Sequence, residues 1–195
     1  MRNVKFFAAP AVIAFMALAT SVNAQAFTFT NANPSISVTA SASGPTAACT
    51  WGTAATAAVG ALGSFQKAGD TVAAAKGIAV NQPFTCTGAN ATVTVTASSA
   101  NGGKLQSGTT GAYWTLAYEV YPGSTTATGT PLTLTTAGVA FPGTISATSG
   151  VGTNATFYVN VKAGTALQAV GAPANIATGA TVNFTDTITL SATYN

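Results

Sequence analysis

Histidine is absent from all 195 residues of this chain. That excludes Ser-His-Asp and Cys-His catalytic arrangements and the common zinc sites. Charge is scarce too, at 5% of residues against 48% hydrophobic. Only three carboxylates are present, Asp70, Glu119 and Asp186, far apart in the chain, and they offer a paired-carboxylate hydrolase little. No Gly-rich loop stands ahead of a lysine to cradle a phosphate, and no Lys/Arg cluster exists to bind nucleic acid. Nothing calls for a metal or a cofactor, and the chain reads as a non-enzyme.

What is present begins with an export signal. Arg2 and Lys5 precede an almost unbroken apolar run from Phe6 to Ala19, closed by small residues at Val22-Asn23-Ala24 or Ala24-Gln25-Ala26. This is the pattern of a cleaved secretory peptide over residues 1–26. The run is shorter than the roughly 20 apolar residues that span a bilayer. Past residue 26, Lys67, Lys76, Lys104 and Lys162 face Asp70, Glu119 and Asp186, a net charge of +1. Thr, Ser, Asn and Gly must then cover the surface, which suits packing into an assembly better than life as a free monomer.

The two cysteines, Cys49 and Cys86, both lie in this exported part. An even number there favours one disulfide, with two free thiols as the alternative. Closing a loop of about 38 residues would stabilise by roughly 4 kcal/mol in the chain-entropy view.

No stretch past residue 26 has the i, i+3, i+4 apolar spacing of a long helix; the Ala-rich run Thr53 to Ala61 is weakened by threonines and Gly60. Period two prevails instead, over Val93 to Ala97, Trp114 to Val120 and Phe157 to Val161. In the longest run, Val182, Phe184, Ile188, Leu190, Ala192 and Tyr194 share one parity. Turn clusters such as Asn101-Gly102-Gly103 and Tyr121-Pro122-Gly123 separate these segments, so the chain is expected to be an all-β sandwich. Its Thr-x-Thr arrays suit the solvent face of strands. Asp186 falls on the apolar parity of the last strand, where an ionised carboxylate would enter the core. A bulge there, or a strand start, with Asp186 capping nearby N–H groups, is the expected solution.

Five segments resemble the spore coat protein U family, which includes the Csu-type archaic chaperone-usher pilins. They are the alternating Ile36-Ser37-Val38-Thr39-Ala40-Ser41-Ala42 ahead of Cys49, Leu62-Gly63-x-Phe65, and Gly77-Ile78-Ala79-Val80 leading into Phe84-Thr85-Cys86-Thr87. The others are Leu116-Ala117-Tyr118-Glu119-Val120-Tyr121 and the ending Phe184-Thr185-Asp186-Thr187-Ile188 to Tyr194. The basic residue usual before the Leu-x-Tyr strand is replaced by Lys104-Leu105-Gln106-Ser107 or missing, and extra residues separate Ala42 from Cys49.

The resemblance implies an immunoglobulin-like β-sandwich over residues 49–195 that lacks its last strand, preceded by a donor-strand segment over 27–48. A periplasmic chaperone would fill the gap first. At an outer-membrane usher the donor of the next copy would replace it, giving a surface fibre by β-strand addition. Ile36, Val38, Ala40 and Ala42 are the expected principal donor, with Phe27 and Phe29 as a second anchor of different parity beyond Pro34. An ordinary first strand of the same sandwich is the competing reading of these residues. Partners are then further subunits, the chaperone and the usher; the location is the periplasm in transit and then the cell surface. Two other readings remain: a spore- or cell-coat protein of the same fold, and a carbohydrate-binding adhesive module using Tyr113, Trp114, Tyr118 and Tyr121.

Overall fold

The computed structural model describes residues 47–53, 58–109, 111–176 and 182–194. The export signal and the donor residues Phe27, Phe29, Ile36, Val38, Ala40 and Ala42 lie outside the described residues. Among those described there is no helix, and the chain is all-β as its period-two pattern anticipates. In order the strands are β1 (Ala48–Trp51), β2 (Lys76–Thr87), β3 (Ala91–Ser99), β4 (Lys104–Thr109), β5 (Ala112–Ala117) and β6 (Glu119–Pro122). They continue as β7 (Val139–Ala140), β8 (Ile145–Ala147), β9 (Gly152–Val161), β10 (Gln168–Val170) and β11 (Ile188–Tyr194).

All strand pairings are antiparallel, in sheets ordered β1-β2-β9-β6, β10-β5-β4 and β11-β3-β7, with β8 also on β3. Alternate residues of all three sheets meet in one core, among them Phe84, Phe157 and Val159 from the first and Val93, Ile188 and Leu190 from the third. Burying such side chains is worth roughly 1.5–3 kcal/mol each. Phe141, just after β7, meets Phe157 of β9 edge to face at 5.7 Å and joins the two larger sheets along one flank. On the other flank those sheets end in β1 and β11.

Local exceptions have local causes. Pro83 lies inside β2, yet its carbonyl accepts from Gly52 N just where β1 stops. The missing N–H points the same way, beyond the ladder, and no strand bond is lost. Gly77 is glycine because a Cβ would lie 2.6 Å from the Tyr158 ring opposite.

Two strands expected from the sequence are interrupted. Trp114 to Val120 alternates as one strand, but the chain turns a corner at Tyr118, leaving β5 in one sheet and β6 in another. Strands that switch sheets at a corner are a known solution in sandwiches. The run from Val182 is likewise broken near Asp186, where a bulge or strand start is expected: β11 begins at Ile188. Before it, only Thr185 bridges, to Gln106 of β4.

Candidate functional site

β11 reads Ile-Thr-Leu-Ser-Ala-Thr-Tyr and pairs with β3 from Ile188↔Ser99 to Tyr194↔Val93. Ile188, Leu190, Ala192 and Tyr194 are buried. Among the described residues no strand pairs with the outer edge of β11, so half of its backbone N–H and C=O groups face away from any ladder. Such an edge is a template for a further strand, and proteins usually protect one with Lys, Pro, a bulge or a cover. β11 contains neither lysine, proline nor any other charge. β1, only four residues long, ends the opposite sheet and is held to β2 by the Cys49–Cys86 disulfide. That bond sits at the Cys49↔Cys86 position of the ladder, in the core, beside the Trp51–Phe84 ring contact at 5.3 Å.

Ahead of β11, Phe184 and Asp186 continue its buried parity, at 1% and 2% exposure. The carboxylate lies in the core, just ahead of the strand start at Ile188. What yields is the neighbouring chain. From Ile188↔Ser99 to Thr185↔Gln106 the last segment moves three residues and its partner seven, so four extra residues bulge out between β3 and β4. This excursion, Ala100 to Gly103, delivers donors to the carboxylate. Asp186 Oδ1 accepts from Asn101 N at 3.1 Å and Thr187 N at 2.6 Å. Its Oδ2 accepts from the Ser99 and Tyr118 hydroxyls, both at 2.6 Å. Ser99 Oγ in turn accepts from Gly103 N at 2.7 Å, and Asn101 Nδ2 donates to Thr185 O at 3.1 Å. One carboxylate thus ties together the end of β3, the β5–β6 corner and the root of β11.

Asp186 was read from the sequence; Ser99 and Tyr118 as its partners were not. The signal that could have found them is a matching one. A tyrosine on a core parity needs an acceptor for its hydroxyl, and an aspartate on a core parity needs donors. Of the expected site residues, the structure bonds Cys49 to Cys86, buries Phe184, Ile188, Leu190 and Tyr194, and places Asp186 at the root of the open-edged strand. Among the described residues no cluster of His, Cys, Asp or Glu could hold a metal ion.

Burial raises the Asp186 pKa above the ordinary carboxylate value, while hydrogen bonds from Ser99, Tyr118, Thr187 and Asn101 pull it down without cancelling the rise. Burial likewise pushes Tyr118 well up, helped by the Asp186 charge. For Asp186 the native state binds a proton more readily than the unfolded chain. Its contribution to stability is full below the unfolded pKa and is lost as pH rises through the raised native one. Asp70 is opposite: N–H groups of Gln66 and Lys67 lower its pKa, so its contribution is lost only as pH falls through that lowered value. With no histidine, the two windows separate. Thermal melts between about pH 4 and pH 7 should show wild-type stability rising toward acid, and Asp186→Asn flattening that slope. An unchanged slope in the variant would mean another group is responsible.

No protein family, curated protein or solved structure matches this chain.

Proposed function

We propose that this chain is a structural subunit of a surface fibre built by donor-strand exchange, its sandwich being immunoglobulin-like and incomplete. The observation that carries this reading is the outer edge of β11: seven residues without charge or proline, apolar on the core side, and unpaired among the described residues. The segment Ile36 to Ala42 has the same length, the same alternation and the same lack of charge and proline. Added beside β11 from the next copy, it would satisfy the edge by main-chain hydrogen bonds while Ile36, Val38, Ala40 and Ala42 set the register. Export, a disulfide, and a periplasmic chaperone and outer-membrane usher that keep the edge covered until assembly complete the reading. The near-absence of charge accords with a subunit packed into a polymer.

Surface material sheared from cells and run on a detergent gel tests this. Wild type should give a ladder that collapses to a monomer on boiling. Val38→Asp, which buries an unpaired carboxylate in the exchanged strand, should abolish the ladder. A ladder indifferent to Val38→Asp would transfer the donor role to Phe27 and Phe29. A wild-type monomer without boiling would end the fibre reading.

A further inference from the structure

The little charge this molecule has is concentrated. Seven charged side chains follow residue 26, and three of them, Lys104, Glu119 and Lys162, line one cavity of about 230 Å³. It opens where the Gly102–Gly103 turn, the β5–β6 corner, Thr133 and the end of β9 converge. Opposite Lys104 in the β4–β5 ladder stands Ala117, which lines the same cavity. Asn160 and Tyr118, both buried, also line it, and Tyr118 is fixed from behind by Asp186.

The charges in that wall are unevenly engaged. Glu119 places Oε1 2.6 Å from Lys162 Nζ and accepts the Tyr121 hydroxyl at Oε2, 2.7 Å away. Among the described residues Lys104 has no carboxylate within ion-pair range. The cavity thus carries one positive charge in excess, with a carboxylate and the Thr133 hydroxyl beside it. A phosphate fits this wall poorly. The Gly102 and Gly103 N–H groups already donate to Ser99, no arginine follows Arg2, and Glu119 would repel a dianion. A ligand with a single negative charge and several hydroxyls suits the wall better: its carboxylate takes Lys104, and its hydroxyls donate to Glu119 and exchange with Thr133. The volume is below the roughly 300–1,000 Å³ of drug-sized sites, which suits one sugar ring.

We propose that this cavity binds one uronic acid unit of an acidic polysaccharide, the carboxylate on Lys104 and the ring hydroxyls on Glu119 and Thr133. The site does not depend on strand exchange, and a monomer would carry it too.

Calorimetric titration of the purified, exported full chain with trigalacturonic acid, and with neutral galactotriose as its counterpart, tests the proposal. Wild type should bind the acidic trisaccharide and not the neutral one. Lys104→Gln should weaken binding by about tenfold or more, the weight of one charge-assisted contact, and Lys104→Arg should retain it. Lys67→Gln removes an equal charge from a loop outside the cavity and should change nothing. Absence of binding by wild type, equal binding of the neutral sugar, indifference to Lys104→Gln, or an equal loss in Lys67→Gln would each overturn the assignment.

Discussion

Asp186→Ala is expected to destabilise the protein by about 3–5 kcal/mol, read as a shift of the urea unfolding midpoint. Removing the carboxylate takes an acceptor from two buried hydroxyls, those of Ser99 and Tyr118, and from two backbone N–H groups. A buried donor without an acceptor costs about 1–3 kcal/mol, which sets the total. Tyr118→Phe should cost only about 1–2 kcal/mol, because Asp186 keeps three of its four donors. Combining the two changes should cost less than their sum, since the variant lacking the acceptor no longer has the Tyr118 hydroxyl to accept from. Strict additivity would mean that the Asp186–Tyr118 contact contributes nothing of its own. In the fibre reading, Asp186→Ala also frees the root of β11, so assembled material should fall with the stability loss while Val38→Asp abolishes assembly without unfolding the subunit.

The second large effect is expected from the disulfide. Replacing Cys49 and Cys86 together by alanine should lower stability by about 2–5 kcal/mol, near the roughly 4 kcal/mol of loop-closure entropy. The structure adds where the loss begins. β1 has four residues and, among the described residues, one partner, β2, whereas β2 is also held by β9 over ten paired residues from Lys76↔Val161 to Thr85↔Gly152. Hydrogen exchange should therefore accelerate first in the β1–β2 ladder, with the β2–β9 ladder still protected. If the double variant keeps wild-type exchange in β1, the four-residue ladder and the Trp51–Phe84 contact hold that strand unaided.

Alternation is a local signal, and it was legible residue by residue. Val93, Val95 and Ala97 face the core as their parity requires, as do Phe157, Val159 and Val161. The choice of sheet is a different kind of information. Trp114 to Val120 looks like one strand because alternation cannot show that β5 pairs with β4 and β6 with β9. Thr115 and Leu116 are both buried in succession, as are Val120 and Tyr121, where the corner re-aims the side chains.

Asp186 shows the same division. Its residue type and parity, visible in the sequence, announced a conflict between a carboxylate and a core. The resolution came from Tyr118 and Ser99, 68 and 87 residues away, and from four extra residues in the opposing chain. The cavity around Lys104 was equally hidden, since Glu119 and Lys162 meet it only across strand pairings.

By itself, then, the sequence determined an all-β chain without histidine chemistry, a single cysteine pair, and the faces that turn inward. Each of these follows from composition or from a two-residue period. The tertiary structure alone decided which strands pair, that β11 ends its sheet with an edge unpaired among the described residues, where the buried carboxylate finds its donors, and which scarce charges share a cavity. Those outcomes depend on contacts between distant parts of the chain, and a pattern read over neighbouring residues carries no record of them.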